Sequence, residues 1–344
     1  MSLSRRRLLQ LSLGSVAALW MGGHASNGSL GEGKCSLADD SVTRKSWALG
    51  SDVSMTVMGM PRDRAEQALD AAFAELELVE QVMSLYRPDS QLCRLNRDRV
   101  LDEPHPYLIE VFTTATETAQ RSDGAFDITV QPLWELFAAC QKQSRLPTDA
   151  EIADARACVD WRAIEVSENR IRLRAPATAI TLNGIAQGFA ADRAIAALRH
   201  HGVEHALVNA GEVGCVGQKP NGSDWTVGVQ HPRKPDAYVS LAELRGRSLA
   251  TSGDYETTFS ADFSKHHIFD PRTGESPSEL ASVSIAAPTA MQADALSTTA
   301  MVLGPARTLT LIETLADVDA LLVLKDGRTI HTQGFRHAEK RHNG

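Results

Sequence analysis

The order of the predicted helices and strands is the feature that most constrains the fold of this chain. Apolar residues show helical spacing in some segments and strand-like spacing in others, and the two kinds of segment do not strictly alternate. Between Pro61 and Tyr86, apolar residues recur three and four apart, which predicts an amphipathic helix. A second such helix contains Leu108 to Ala119 and stops at Ser122. Further helices are predicted over 185–200, 293–303 and 306–314.

Short apolar runs, most of them separated by glycines, predict strands among these helices. They fall at 179–182, 206–209, 213–216, 225–229, 248–251, 267–269 and 283–286, with a strand pair over 320–330 and a hairpin turn at 167–169. Strict strand–helix alternation would favour a parallel sheet. The mixed order therefore predicts an α+β fold with largely antiparallel sheets in a single large domain.

The N-terminus resembles an export signal. Three arginines at 5–7 precede an apolar run from Leu8 to Met21, and small residues follow near Ala25. This pattern is typical of a secretory signal, and the adjacent arginines indicate the twin-arginine route. The run spans about 14 residues, whereas a transmembrane helix needs roughly 20, so a single membrane anchor is the less favoured alternative. We expect a periplasmic protein, cleaved or loosely tethered to the membrane.

The expected organisation is a leader at 1–45, one domain at 46–335 and a polar tail at 336–344. The chain carries a formal net charge of −8, so no basic excess is present to neutralise nucleic-acid phosphates, and no nucleic-acid partner is expected. The five cysteines show neither a CxxC nor a zinc spacing. We expect few or no disulfides and no cysteine chemistry.

Residues that could carry chemistry concentrate in six short stretches, each with a plain structural explanation when taken alone. The first places Tyr86 at a helix end, where its ring could stack on a planar ligand or simply be half-buried. In the second, Asp127 and Thr129 alternate with apolar residues. Both would then share one face of an extended segment.

Two further stretches contain glycine turns. Gly184 and Gly188 lie where a predicted strand meets a helix, and free backbone N–H groups at the helix N-terminus would favour a phosphate. Tight helix packing would explain the same two glycines. The polar turn over 209–214 says little by itself.

The last two stretches contain a potential base and hard oxygen ligands. Residues 251–256 and 265–274 gather histidines, aspartates, an arginine and a tyrosine, and a histidine there could act as a general base. Asp294 and Thr298 are four apart on one helix face and offer oxygens suited to Mg²⁺. An aspartate favoured by the helix dipole is the plain alternative. Together the stretches indicate a magnesium-assisted phosphoryl or pyrophosphate reaction.

In their order, the six stretches resemble the ApbE family of FAD:protein FMN transferases over roughly residues 48–330. The likeness is most specific at 252–255, at 267–274 and at 293–295 with Thr298. It implies a T-fold-like architecture of antiparallel sheets packed with helices, FAD in an extended cleft, and Mg²⁺ at the FAD pyrophosphate. It also implies transfer of FMN to a threonine or serine hydroxyl of an acceptor protein, with release of AMP.

The resemblance implies residue roles by position. The metal ligands would be Asp294, Thr298 and the backbone carbonyl of Ala186, and the catalytic residues would be His267, as general base, and Asp270. The residues that bind FAD would be Met83, Tyr86, Asp127, Thr129, Gln187, Gly211, Glu212, Ser252, Gly253, Tyr255 and Arg272.

Two positions depart from the family pattern. Thr181 stands where the family commonly has an aspartate, and Gln187 stands where it commonly has a lysine. Losing that lysine would weaken FAD binding unless Lys265 or Arg272 compensates. The stretch 182–188, with the twin-arginine signal, resembles the subgroup associated with nitrous-oxide reductase maturation. A membrane-associated electron-transfer protein would then be the acceptor.

Two other functions fit the same residues. Water in place of the acceptor hydroxyl would give an FAD pyrophosphatase that releases FMN and AMP. A periplasmic FAD-binding carrier would keep the cleft without catalysis. Asp294, Thr298 and His267 argue against the carrier, because binding alone requires neither a metal pair nor a base.

Overall fold

A computed structural model describes residues 41–337; the predicted export signal and most of the predicted polar tail lie outside this range. The strands are β1 (Ser41–Ala48), β2 (Ser51–Met58), β3 (Val100–Asp102), β4 (Ile164–Ser167), β5 (Arg170–Leu173), β6 (His205–Asn209), β7 (Val213–Val216), β8 (Trp225–His231), β9 (Lys234–Leu244), β10 (Ser248–Gly253), β11 (Leu280–Ala287), β12 (Asp319–Leu324) and β13 (Thr329–His331). The helices are α1 (Arg62–Met83), α2 (Gln91–Asp98), α3 (Pro106–Arg121), α4 (Gln131–Lys142), α5 (Asp149–Arg156), α6 (Ala186–His200) and α7 (Ala290–Glu313).

Eight strands form the main sheet, in the order β1-β2-β6-β7-β10-β11-β12-β13. A three-stranded sheet has the order β3-β5-β4, and β8 pairs with β9 as a separate hairpin. Every ladder between these strands is antiparallel. The α+β class with largely antiparallel sheets is thereby confirmed.

The main sheet is covered on both faces because its central strands are apolar on both. In β10, Leu249 belongs to the cluster under the β8–β9 hairpin, whereas the next residue, Ala250, belongs to the cluster under α7. In β12, Leu321 and Leu322 alternate in the same way. This period of two places the hairpin on one face and α7 on the other, while α1 and α6 cover the β2–β6 end of the sheet.

The predicted helices are present in the structure. The last two are joined into α7, which is interrupted at Gly304, between the two ranges predicted from the sequence. Residues 290–313 are helical on both sides of Gly304, whose φ of 74° interrupts the helix directly before Pro305. A glycine adopts this left-handed conformation without the steric cost of a side chain, and a proline cannot continue the hydrogen-bonding pattern. Two helices were therefore predicted here.

The strands predicted at 179–182 and 267–269 are wrong. Ala179 makes only an isolated bridge with Val130. The next backbone groups are satisfied elsewhere, because Asn96 Oδ1 accepts from the Ile180 N–H at 2.7 Å and the Ile128 carbonyl accepts from the Thr181 N–H. At 267–269, the His267 N–H donates to the Thr257 carbonyl within one loop. Within residues 41–337, neither segment pairs with a strand in a ladder.

The edges of the domain differ from the expected boundaries. β1 pairs along its whole length with β2 and begins at Ser41, within the segment expected to be leader. Near the other end, His337 makes an isolated bridge with Ala242 of β9. Within residues 41–337, no helix is long and apolar enough to cross a membrane.

Candidate functional site

An open cleft lies where the end of α1, the start of α6, β10 and α7 meet. It encloses about 1540 Å³ of space when the open solvent at its mouth is included. Most of the residues predicted for the site line this cleft: Met83, Tyr86, Asp127, Ala186, Gln187, Glu212, Ser252, Gly253, His267, Asp294 and Thr298.

Three predicted ligand residues lie behind the wall and support it. Thr129 is fully buried, and its hydroxyl donates to Asp127 Oδ1 at 2.6 Å. The two residues are partners in a turn rather than neighbours on a strand face, because the Asp127 carboxylate also accepts from the Thr129 N–H. The Tyr255 ring packs on the backbone of Gly253. Gly211 forms a turn with a φ of 97°.

Asp270 and Arg272 also lie outside the cleft lining. The Arg272 guanidinium donates to both oxygens of Asp270, each at 2.7 Å, and its backbone N–H donates to the same carboxylate. The pair stabilises its own turn. Neither the catalytic role predicted for Asp270 nor the FAD contact predicted for Arg272 gains support from this geometry.

The start of α6 packs tightly against α7 because two glycines remove the side chains between them. A Cβ atom on Gly188 would collide with the Ala290 carbonyl and lie 2.8 Å from Asp294 Cβ. A Cβ atom on Gly184 would lie 2.9 Å from Thr298 Oγ1. The packing explanation for these glycines is thus supported. It places the first turn of α6 beside the two predicted metal ligands of α7.

Asp294 and Thr298 are held by direct hydrogen bonds. Asp294 is 3% exposed, and its Oδ2 accepts from the Gly188 N–H at 3.0 Å. This N–H is therefore not free for a phosphate, contrary to the expectation from the sequence. Thr298 Oγ1 lies 3.1 Å from the Ser252 hydroxyl. Burial, partly opposed by the Gly188 hydrogen bond, raises the pKa of Asp294 to about 7.

Two more carboxylates line the same wall. Glu212 accepts from the Thr251 N–H at 3.1 Å, and burial, together with the nearby charge of Asp294, raises its pKa well above the ordinary range. Burial raises the pKa of Glu256 to about 8. Burial of acidic groups without a compensating positive charge has this effect, because it disfavours the ionised form.

His267 presents its ring in the same cleft. Its Nδ1 lies 3.3 Å from the Thr257 carbonyl oxygen, which can only accept a hydrogen bond. Nδ1 therefore carries the proton, and Nε2 keeps a lone pair that can accept one. Burial lowers the pKa of His267 to about 4, so the ring is neutral near pH 7. This is the protonation state that a general base requires.

The oxygens around Asp294 fit Mg²⁺ in type. The described residues contain no group of three or more histidine, cysteine or acidic side chains placed to hold a metal. Mg²⁺ does not require such a group, because it takes one or two carboxylates and completes its shell with phosphate and water. Asp294 uses one oxygen for Gly188, which leaves the second for a cation beside the Thr298 hydroxyl.

Neither of the two basic residues that could compensate for the neutral Gln187 lies beside it in the cleft lining. Lys265 is paired with Glu275, Arg272 is paired with Asp270, and neither lines the cleft. Gln187 itself lies in the wall, where its amide contacts the Leu49 carbonyl at 3.3 Å.

The structure adds lining residues that the sequence patterns did not identify. Leu49 and Gly50, in the turn between β1 and β2, come from a distant part of the chain, as does Trp134 of α4. Nothing in their local sequence indicates a site. Glu256 could have been found, because it directly follows Tyr255 in the densest polar stretch.

Fold and cleft together define an α+β protein whose open cleft combines hard oxygen donors with a neutral histidine. The ApbE family profile matches residues 49–322 of the chain. The chain belongs to the ApbE family.

Related proteins agree in sequence and in fold. The FAD:protein FMN transferase of Escherichia coli K12 is 30% identical over 75% of this chain and 77% of its own length. The FAD:protein FMN transferase of Salmonella typhimurium is 29% identical over 83% of this chain and 84% of its own length. The ApbE protein of Thermotoga maritima superimposes with a TM-score of 0.76 at 29% identity, over 86% of this chain and 97% of its own. The flavin transferase ApbE of Vibrio cholerae superimposes with a TM-score of 0.74 at 26% identity, over 86% of this chain and 98% of its own.

Proposed function

We propose that this chain is an FAD:protein FMN transferase. It moves FMN from FAD to a threonine or serine hydroxyl of an acceptor protein, forms a phosphoester bond and releases AMP. The proposal rests on one observation: His267, Asp294 and Thr298 line the same cleft. Membership of a family whose curated relatives bear this name supports it.

Asp294, Thr298 and the Ala186 carbonyl would hold Mg²⁺. When bound, the ion would neutralise charge on the FAD pyrophosphate as a Lewis acid. Asp294 is kept in position for this role by the Gly188 N–H, and Thr298 by Ser252. Both belong to α7, so their spacing is fixed by the helix rather than by a loop.

His267 would accept the proton of the acceptor hydroxyl at Nε2. The Thr257 carbonyl holds the proton on Nδ1 and orients the ring. The deprotonated acceptor oxygen then forms a bond to the phosphorus of the FMN moiety, and the bond from that phosphorus to the bridging oxygen of AMP breaks. Positioning and charge stabilisation would supply most of the rate enhancement, as in other phosphoryl transfers.

The location and the acceptor are further parts of the proposal. The arginines at 5–7 and the apolar run after them support export to the periplasm by the twin-arginine route. The acceptor would then be a membrane-associated flavoprotein, for which an electron-transfer protein of nitrous-oxide reduction is our candidate.

The test is an incubation of the protein with FAD, Mg²⁺ and a threonine-bearing acceptor domain, with and without EDTA. In-gel flavin fluorescence and the intact mass of the acceptor are the readouts. We expect a mass increase of one FMN only when Mg²⁺ is present. Accumulation of FMN and AMP without labelling would identify a pyrophosphatase. FAD binding without turnover would identify a carrier, provided a known transferase labels the same acceptor.

Asp294→Ala tests the metal site in the same assay. It should abolish the Mg²⁺-dependent labelling while the folded structure persists, as judged by circular dichroism. Asp236→Ala is the matched control, because it removes the carboxylate of an exposed aspartate outside the cleft. An active Asp294→Ala protein would contradict the metal assignment.

A further inference from the structure

Two of the residues that line the cleft are exposed, Tyr86 and Asn183, whereas the other described lining residues are buried or half-buried. Tyr86 follows α1, on the side where the family resemblance places FAD. Asn183 lies in the segment that leads into α6, and its side chain forms no hydrogen bond within residues 41–337. The Asn183 amide therefore keeps both a donor and an acceptor for a partner.

A β-turn holds the backbone of Asn183 in place. The Ile185 N–H donates to the Leu182 carbonyl at 3.0 Å, so Asn183 and Gly184 are the two central residues of the turn. The Thr181 hydroxyl accepts from the Asn183 N–H at 3.3 Å. Thr181 is one of the two positions that depart from the family pattern, and here its side chain supports this turn. The position of Asn183 is thus set before any partner binds.

The turn lies beside the proposed reaction centre. A Cβ atom on Gly184 would lie 2.9 Å from Thr298 Oγ1, so the turn packs against this proposed metal ligand. Ala186, whose carbonyl is another proposed ligand, follows two residues later, and His267 lines the same cleft. An acceptor hydroxyl has to reach a phosphorus bound at this site. The acceptor chain would therefore pass the exposed residue of the turn, which is Asn183.

Another asparagine of this chain shows which partner such an amide can hold. Asn96 Nδ2 donates to the Ile180 carbonyl at 2.9 Å, and Asn96 Oδ1 accepts from the Ile180 N–H at 2.7 Å. One side chain thus binds both backbone groups of a residue that lies outside the sheets. Recognition through main-chain groups tolerates different side chains in the bound segment.

Resting on the proposed function, we propose that Asn183 binds the backbone of the acceptor protein beside its reactive threonine or serine, and so sets the affinity for the acceptor rather than for FAD. The bound segment is an exposed loop of the acceptor, because backbone groups within helices and sheets are already paired. The Asn183 amide donates to a carbonyl of this loop and accepts from an N–H.

The experiment compares Asn183→Ala with the wild-type protein at saturating FAD and Mg²⁺. The threonine-bearing acceptor domain is titrated, and its labelling is measured by in-gel flavin fluorescence. We expect the KM for the acceptor to rise about tenfold, because one or two hydrogen bonds are lost. The kcat should change by less than about twofold. FAD affinity, measured by quenching of flavin fluorescence, should stay the same.

Asn169→Ala is the matched control. It removes the same side chain from an exposed turn, between β4 and β5, that lies outside the cleft. Its KM for the acceptor, its kcat and its FAD affinity should all match those of the wild-type protein.

The outcomes separate this inference from the proposed function. An unchanged KM for the acceptor in Asn183→Ala would overturn the inference. Loss of FAD affinity at an unchanged acceptor KM would show that Asn183 binds FAD instead, and a fall in kcat alone would show that it acts only through the turn beside Thr298. Each of these results contradicts the inference and leaves the transferase standing. A wild-type protein that labels no acceptor would overturn both.

Discussion

At the scale of single residues, burial rather than sequence decides how His267 can react. Its Nδ1 hydrogen bond to Thr257 fixes the tautomer, and desolvation keeps the ring neutral. Neighbouring His266 illustrates the contrast, since it is fully buried, contacts the Pro277 carbonyl through Nε2 and does not line the cleft. Two adjacent histidines thus have different roles that the sequence alone does not distinguish.

The pH dependence of turnover should follow the lowered pKa of His267. A general base works only when unprotonated, and it is unprotonated above its pKa of about 4. At saturating FAD and Mg²⁺, kcat should therefore stay nearly constant from pH 8 down to pH 6, whereas an unperturbed histidine would already lose activity near pH 6.5.

His267→Ala should lower kcat by at least about a hundredfold with little change in FAD affinity. His200→Ala, at the exposed end of α6, is the control and should match the wild-type enzyme. A variant at 267 that loses binding but keeps kcat would contradict the catalytic role.

Sequence patterns identified those residues whose chemistry is tied to local spacing. Asp294 and Thr298 could be paired because helical periodicity places them on one face. The sequence could not show that Thr129 and Arg272 lie outside the cleft lining. Their side chains form hydrogen bonds with near neighbours, Asp127 and Asp270, instead of facing the cleft. Alternation or turn composition does not reveal which way such a side chain points.

At the scale of elements, the contact between α6 and α7 assembles the proposed metal site. The two helices approach closely at Gly188, and Asp192 caps the start of α7 by accepting from the Ala290 and Met291 N–H groups, each at 2.8 Å. Such caps and small-residue contacts fix helix position. Both helices were predicted from periodicity, but their contact was not, since it joins residues about a hundred positions apart.

Gly188→Ala should therefore damage both stability and activity. The added methyl group has no room beside the Ala290 carbonyl and Asp294 Cβ, and overpacking of this kind costs about 3 kcal/mol. Thermal denaturation and the transferase assay measure the two effects. Ala196→Ser, at a partly exposed position of the same helix, should change neither. A Gly188→Ala protein of wild-type stability would show that the helices are free to separate.

At the scale of the whole molecule, the cleft depends on contacts between segments far apart in sequence. Asp254 is fully buried and accepts from Arg233 Nη1 and Nη2 at 2.6 and 2.7 Å, and Lys325 Nζ lies 3.3 Å away. These residues lie at the turn after β8, in the loop after β10 and at the turn after β12. The loop after β10 carries Glu256 and His267 into the cleft.

The sequence predicted the long helices and the central strands, but it missed β1, β2, β3, α2, α4 and α5, and it did not predict how the elements assemble. Apolar periodicity is a local signal, so it indicated α1, α3, α6 and the central strands. β9 was also missed, because it is partly exposed and polar over most of its length. The ion pairs around Asp254 join side chains that no spacing rule connects.

Asp254→Asn tests whether the stability of the protein depends on the ion pairs of Asp254 with Arg233 and Lys325. Removing a buried partner leaves Arg233 and Lys325 without their counter-charge, which costs 3–5 kcal/mol in a fully buried pair. Because both cations are partly exposed, with side-chain exposures of 29% and 23%, we expect about 2 kcal/mol here. Urea denaturation measures this loss. Asp102→Asn is the control, because the Asp102–Arg170 pair is 61% exposed on both sides and should contribute well under about 1 kcal/mol.

A double-mutant cycle with Arg233→Gln then tests whether the loss of stability comes from the broken Arg233–Asp254 ion pair. If it does, the two substitutions together should destabilise the protein by less than the sum of their separate effects, since each already breaks the same contact. The kcat of Asp254→Asn should also fall more than its FAD affinity, because His267 is positioned by the loop that Asp254 anchors. Additive free energies of unfolding, or an unchanged kcat, would mean that the cleft is held by the sheet and helices alone.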